Sequence, residues 1–258
     1  MSATLQNKTT NQAKTQRNIK ITVTIILTVM AVLVLAVFQR ILEPRVLSKE
    51  ELLLNNAVIF SKPRLVKEFK LVNEQGEVVE KKDLQDQWTL LFFGFTHCPD
   101  ICPMTLFQLN QVVEKLDPDI REQVEVGMVS LDPARDTQEK LQQYVKSFNP
   151  DFFALSGEFL DILKFSRNVN VAFSKVPLKA PSDNRANAVG EAARDKEEVE
   201  SAAGANPAAD DNYTIDHTGN IVLLNPYGDY HGFFKPPFEL AKLKLTLSSV
   251  VQQGVPGR

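Results

Sequence analysis

The feature that most constrains the fold is an apolar run that ends at a pair of cysteines. Residues 90–95 read Leu-Leu-Phe-Phe-Gly-Phe, and Cys98 and Cys102 follow, each directly before a proline. A run that is apolar at successive positions is typical of a strand buried on both faces. The prolines indicate where that strand stops and a helix begins. We therefore predict a central strand over residues 88–95 and an amphipathic helix over residues 103–116.

The cysteine pair predicts metal or redox chemistry. Cys98 and Cys102 are the only cysteines in the chain. Four residues apart at the start of a helix, their side chains project to the same side, one turn from each other. A helix N-terminus also lowers the pKa of a thiol and favours the thiolate. The alternative is a structural disulfide, but a bridge that closes so short a loop restricts the unfolded chain little.

Patterns of strand and helix alternate along the rest of the chain. Gly76 marks a turn between two short strands within residues 64–79, and residues 213–226 read as a hairpin around a Thr-Gly-Asn turn. The remaining predicted strands are 124–131 and 171–176, residues 152–155 are a short apolar segment, and the remaining helices are 137–148, 158–169 and 238–251. Short links between alternating elements predict an α/β fold with a parallel-centred sheet. Residues 227–237, rich in Gly and Pro, are predicted to be a loop.

The N-terminus predicts a membrane anchor. Residues 1–20 carry Lys8, Lys14, Arg17 and Lys20 without an acidic residue, and residues 21–38 are uncharged. Such a helix is about 27 Å long, near the thickness of a bilayer core. A cleaved signal peptide would have a shorter apolar region and end in a small-x-small site, which is lacking here. We predict a tail over 1–20, an anchor over 21–39, a tether over 40–60 in which 48–56 is either a short helix or part of the tether, and one domain over 61–258.

The charge pattern predicts the compartment. Positive residues before the anchor keep the tail in the cytoplasm, which places the body in the periplasm of a bacterium. A mitochondrial inner-membrane protein facing the intermembrane space has a similar topology, but a short tail with Arg17 as its one arginine argues against a transit peptide. The net charge of −3 gives no basic footprint for nucleic acid.

Residues 177–212 interrupt the alternation of predicted strands and helices. Residues 177–212 are rich in alanine and acidic side chains and contain no aromatic residue. Such a composition buries too little apolar surface to offset the entropy of ordering. We predict a solvated insertion in the domain.

Three blocks of sequence together resemble a known family. They are Gly94-Phe95-Thr96-His97-Cys98-Pro99-Asp100-Ile101-Cys102-Pro103, Ser130-Leu131-Asp132-Pro133-Ala134-Arg135-Asp136-Thr137 and Tyr213-Thr214-Ile215-Asp216-His217-Thr218. They are similar to those of the Sco/SenC family of membrane-anchored copper proteins, over about residues 65–240. The resemblance implies a thioredoxin-like fold behind a single N-terminal transmembrane helix. It also implies that Cys98, Cys102 and His217 bind one copper ion. The insertion before Tyr213 departs from the family and enters the chain close enough to His217 to modulate access.

The resemblance implies a partner as well. The family acts in assembly of the dinuclear copper A centre of cytochrome c oxidase, so the expected partners are the oxidase subunit with that centre and other periplasmic copper chaperones or thiol reductases. Two thiolates and an imidazole form a soft ligand set that suits Cu(I) and also accommodates Cu(II) or Zn(II). Alternative functions are a thiol–disulfide oxidoreductase, in which Cys98 and Cys102 are catalytic, and a copper or redox sensor.

The other candidate residues have simpler interpretations. His97 should point away from the thiols if it continues the strand, and His231 falls in the predicted loop as a surface residue. Asp132 and Asp136 flank a turn before a predicted helix, where carboxylates cap free N–H groups, although the resemblance adds a role in partner docking or site polarity. Asp100 is a candidate cap for the first helix.

Overall fold

The computed structural model describes residues 20–38, 46–178 and 213–255, so nearly all of the predicted tail and of the insertion lies outside the described residues. The chain divides into two units, residues 1–45 and residues 46–258. In the first unit, helix α1 (Lys20–Phe38) has a mean hydropathy of 2.9 in its most apolar window. By length and composition it is able to cross a membrane.

The second unit contains six helices, ten strands and a 3₁₀ turn (Lys81–Leu84) among its described residues. The helices are α2 (Lys49–Leu54), α3 (Ile101–Glu114), α4 (Pro118–Arg121), α5 (Gln138–Phe148), α6 (Phe159–Asn168) and α7 (Leu240–Gln253). The strands are β1 (Ala57–Arg64), β2 (Leu71–Asn73), β3 (Val78–Val79), β4 (Trp88–Gly94), β5 (Val124–Ser130), β6 (Phe153–Ser156), β7 (Phe173–Pro177), β8 (Tyr213–His217), β9 (Ile221–Leu224) and β10 (Tyr230–Phe234).

Eight of these strands form one sheet in the order β1-β10-β9-β4-β5-β6-β2-β3, while β7 and β8 form a separate antiparallel pair. Strand β4 is buried at every position, runs parallel to β5 and antiparallel to β9. The parallel pair explains where the candidate site lies. Gly94 and Ser130 are paired at the carboxyl ends of their strands, so the cysteine loop after β4 and the aspartate turn after β5 leave the sheet at the same edge.

The sequence predictions for the C-terminal strands need correction. The predicted hairpin is wrong, because β8 pairs with β7 and β9 lies between β4 and β10. All four residues of β9 are buried, which suits a central position better than a hairpin at the surface. The predicted loop is also wrong in part, since it contains β10. His231 lies on that strand and is 2% exposed, so it is not a surface residue.

The stretch predicted as a tether contains the short helix α2, in agreement with the helical alternative for residues 48–56. Ser48 and Glu51 form a reciprocal capping box at the start of α2, and the Leu47 N–H donates to Ser249 Oγ on α7 at 2.7 Å. Leu47, Leu52 and Ala57 are buried. Residues from Val46 onward therefore pack with the domain, within the stretch predicted as a tether over 40–60.

Candidate metal centre

The cysteines lie where β4 ends and α3 begins. Cys98 is in the loop between the two elements, and its N–H donates to Phe95 O at 3.2 Å. Cys102 is the second residue of α3 and is 0% exposed, whereas Cys98 is half-buried. Both thiols are free. The structure thus contains a reduced pair in which one sulfur faces solvent and the other is in the core.

The two sulfurs are electrostatically unequal. A hydrogen bond with Cys102 is the main cause that holds the pKa of Cys98 well below its usual range, and hydrogen bonds with His217 and backbone groups add to it. The same sulfur–sulfur hydrogen bond, together with burial, raises the pKa of Cys102. In the metal-free pair, negative charge is therefore favoured on the Cys98 sulfur and the proton on the Cys102 sulfur.

His217 reaches the cysteines from a distant part of the chain. It is the last residue of β8, and its Nε2 lies 3.9 Å from Cys102 Sγ although 115 positions separate the two residues. Its Nδ1 lies 3.3 Å from Thr218 O. In the neutral tautomer that donates from Nδ1 to this carbonyl, Nε2 carries no proton and is able to bind a metal. The rings of Phe92 and Phe95 meet the imidazole edge-on at 5.9 and 6.2 Å.

The spacing of these atoms suits a shared metal ion. Bond lengths of about 2.3 Å to thiolate and about 2.0 Å to imidazole, the values for zinc, place two ligands of a three-coordinate ion about 3.7 Å apart. The observed 3.9 Å between Cys102 Sγ and His217 Nε2 is close to this value. No group of three His, Cys, Asp or Glu side chains in the described residues is already assembled as a metal site. A third ligand therefore requires local movement, and Cys98 lies in a loop that permits it.

The other two histidines are not brought to this centre by any described contact. His97 Nδ1 lies 3.1 Å from Thr96 Oγ1 and 3.7 Å from Asp136, with the side chain 45% exposed. His231 packs against Trp88, with ring centroids 4.9 Å apart. This agrees with the prediction that His97 points elsewhere.

The side chains of Asp132 and Asp136 do not cap the helix that follows them. Helix α5 is capped by Thr137, whose side chain accepts from the Lys140 N–H, so the capping role predicted for Asp136 is wrong. Asp100 is the N-cap residue of α3 but makes no side-chain cap hydrogen bond. Asp132 and Asp136 are instead buried and hydrogen-bonded to the segments that carry the candidate ligands.

The sequence matches SCO1/SenC over residues 60–189, which is half of the chain. The chain belongs to the SCO1/SenC family. It is 35% identical over 170 residues to the mitochondrial SCO2 homolog of Mus musculus, covering 64% of this chain and 55% of that protein. It is 31% identical over 166 residues to a SCO2-like protein of Rickettsia prowazekii, covering 64% of this chain and 67% of that protein. The alignment thus spans about half of the mouse relative.

Solved structures confirm the fold of this SCO1/SenC protein. The crystal structure of Arabidopsis thaliana ScoI with copper bound superposes with a TM-score of 0.56 at 28% identity, covering 72% of this chain and 98% of that chain. The predicted α/β, thioredoxin-like fold is therefore correct.

Sequence reasoning missed the groups that support the candidate ligands. It named Gly94 and the two phenylalanines around His217 as parts of the apolar run and the family block but gave them no role, whereas a Cβ at Gly94 would come within 2.8 Å of Cys102 Sγ. Glycine at the end of a buried strand is a signal for close approach of another group. Nothing in the sequence alone pairs Tyr213 with Asp132.

Proposed function

We propose that this SCO1/SenC protein binds one copper ion through Cys98, Cys102 and His217 and delivers it to the copper A centre of cytochrome c oxidase during assembly. The observation that carries the proposal is the 3.9 Å approach of Cys102 Sγ and His217 Nε2 beside Cys98. The ligand set is soft, which suits Cu(I), and the copper-bound relative supports copper as the metal.

The unequal burial of the ligands suits transfer. Cys98 is partly exposed, while Cys102 is fully buried. A thiolate of an acceptor can therefore approach the metal from the Cys98 side before an original ligand leaves. Three-coordinate copper accepts such an incoming ligand more readily than a closed four-ligand site.

The test is anaerobic titration of the full-length protein in detergent with Cu(I), in competition with a chromophoric chelator. We expect one copper per chain, and a loss of affinity in Cys98→Ser, Cys102→Ser and His217→Ala. His97→Ala is the matched control and should bind as the wild type does. Wild-type protein that takes up no Cu(I), or His217→Ala with unchanged affinity, contradicts the proposal.

A second candidate function is thiol–disulfide exchange. The Cys98 thiolate and buried Cys102 thiol resemble an attacking and a resolving thiol. Cys98 would attack an acceptor disulfide and release one acceptor thiolate. Cys102, losing its proton, would then attack the mixed disulfide, which releases the second thiolate and leaves a Cys98–Cys102 disulfide. Two electrons thus pass to the acceptor, whose copper-site cysteines are the proposed substrate.

His217→Ala separates the two functions. If copper delivery is the function, cells with this variant should fail to assemble the oxidase while the purified variant still reduces a disulfide substrate. If oxidase assembly is normal in His217→Ala cells and lost in Cys98→Ser cells, thiol–disulfide exchange is the function.

We also propose a domain organisation and a location. Residues 1–20 would be cytoplasmic, 21–39 would anchor the protein in a bacterial inner membrane, and the domain would lie in the periplasm, reached by the other copper chaperones or thiol reductases. Helix α1 supports an anchor by its length and hydropathy. Protease protection of spheroplasts tests the orientation: a domain that stays protected contradicts it.

A further inference from the structure

Two buried aspartates lie on the turn that follows β5. Asp132 and Asp136 are 0% and 3% exposed. The N–H groups of Arg135 and Asp136 both donate to Asp132 O, at 3.1 and 2.9 Å, which closes the turn. Because Ser130 pairs with Gly94, the turn lies beside the end of β4, where the cysteine loop begins.

Asp136 contacts the cysteine side of the centre. Its carboxylate accepts the Thr96 N–H at 3.1 Å, the Thr96 hydroxyl at 2.5 Å and the Ser130 hydroxyl at 2.7 Å. Thr96 is two residues before Cys98. Hydrogen bonds to a buried carboxylate are strong, and losing one leaves a buried donor without its partner. Asp136 therefore fixes the backbone from which Cys98 projects.

Asp132 contacts the histidine side. Its Oδ1 accepts the Tyr213 hydroxyl at 2.6 Å, and its Oδ2 accepts Arg135 Nε. Arg135 Nη1 in turn donates to Tyr213 O at 3.2 Å, and its guanidinium carbon lies 3.8 Å from the centroid of the Tyr213 ring. Tyr213 is the first residue of β8, and His217 is the last.

We propose that the turn over residues 130–136 sets the distance between the candidate ligands. Asp136 positions Cys98 through Thr96, and Asp132 positions His217 through Tyr213. We call this turn, residues 130–136, the brace. It is needed because β8 pairs with β7 and does not join the sheet that contains β4. The inference rests on the proposed function for its ligand set, but the brace itself is a property of the metal-free protein.

Backbone hydrogen exchange of the metal-free, full-length protein tests the brace directly. Thr96→Val and Tyr213→Phe each remove one hydroxyl without uncovering a buried charge, so both are expected to fold. Thr96→Val and Asp136→Asn should raise exchange in residues 95–99 and leave 213–217 unchanged. Tyr213→Phe and Asp132→Asn should raise exchange in residues 213–217 and leave 95–99 unchanged. If both segments respond equally to every variant, or neither responds, the brace is wrong.

A double-mutant cycle tests whether the brace acts on the ligands. Tyr213→Phe should weaken Cu(I) binding about tenfold, the lower end of the ~10- to 100-fold cost of losing an outer-shell partner. In a His217→Ala background it should have no further effect, while Thr96→Val should still weaken binding. If Tyr213→Phe lowers the Cu(I) affinity equally in the wild type and in His217→Ala, Tyr213 does not act through His217. If His217→Ala alone binds as the wild type does, the proposed ligand set fails, and hydrogen exchange still decides the brace.

Discussion

Gly94 lies directly against the buried thiol of Cys102: a Cβ added at position 94 would come within 2.8 Å of Sγ. The same Cβ would come within 2.9 Å of the Phe92 ring, which itself packs edge-on against His217. The absence of a side chain at the end of β4 is therefore what allows the sulfur and the imidazole to approach each other.

We expect Gly94→Ala to be destabilised and to bind copper more weakly. Overpacking a core costs about 1–3 kcal/mol, and relief of the clash moves Cys102 away from His217. Urea unfolding and Cu(I) competition measure the two effects. Gly157→Ala is the matched control, since the nearest atom to its added Cβ is the end of the Leu71 side chain, at 3.2 Å, and its backbone neighbours are at ordinary contact distance. Gly94→Ala with wild-type copper affinity would show that this packing does not set the sulfur position.

The two cysteines should react at very different rates. Cys98 is half-buried and Cys102 is 0% exposed, and the hydrogen bond from Cys102 lowers the pKa of Cys98. In the reduced, metal-free protein at pH 7 we expect iodoacetamide to modify Cys98 about tenfold faster or more. Mass spectrometry of quenched samples locates the label. Denatured protein is the control and should label at similar rates at both sites. Equal labelling in native protein would mean that the asymmetry is absent in solution.

Stability should fall in acid partly because of His231. Burial lowers the pKa of His231 to about 4, below the ordinary value of about 6.5. As the pH falls below about 6.5, the unfolded chain takes up the proton first, so the contribution is complete above that pH and is lost progressively toward about pH 4. Each pH unit in this window costs about 1.4 kcal/mol at most.

Denaturant unfolding at several pH values measures this loss. His231→Phe keeps a ring against Trp88 and should be less sensitive between pH 6.5 and 4 than the wild type. His97→Ala removes a side chain that is 45% exposed and should follow the wild-type curve. Parallel curves for wild type and His231→Phe would exclude His231 as a source of the acid sensitivity.

Removal of the insertion should leave the centre intact. In the β7–β8 pair, Phe173 is opposite His217 and Pro177 is opposite Tyr213. The insertion therefore joins β7 to β8 at the Pro177–Tyr213 end of the pair, and His217 lies at the opposite end. Its closeness to His217 in the sequence does not place it beside His217 in the structure. Replacing residues 178–212 by Asn-Gly, a two-residue turn that keeps Pro177 opposite Tyr213, should preserve copper stoichiometry. A folded variant that no longer binds copper would assign the insertion a role at the site.

The elements that position the cysteines could be predicted because their signals are local. The uninterrupted apolar run of β4 and the helical spacing after Cys102 gave bounds within a few residues of those observed. The errors concern pairing. A Thr-Gly-Asn turn is typical of a hairpin, but burial of Ile221–Leu224 on both faces favoured a place beside β4. Glycines around His231 indicated a loop, whereas Tyr230–Phe234 completes the sheet.

The supporting contacts could not be predicted for a related reason. The hydrogen bond from Tyr213 to Asp132 joins residues 81 positions apart, and the one from Thr96 to Asp136 joins residues 40 apart. In the sequence, nothing distinguishes these four residues from ordinary turn or strand residues. Only the shared edge of β4 and β5, with β8 folded over it, makes them partners.

The separate sheet formed by β7 and β8 has a mechanical consequence. The two sulfurs lie between β4 of the main sheet and α3, while the imidazole lies at the end of β8 in the two-stranded pair. A tilt of that pair would withdraw His217 from the sulfurs without breaking a hydrogen bond of the eight-stranded sheet, and the contacts opposing it would include the hydrogen bond from Tyr213 to Asp132. Under the proposed ligand set, release of copper would therefore require the loss of a few side-chain contacts rather than unfolding of the domain.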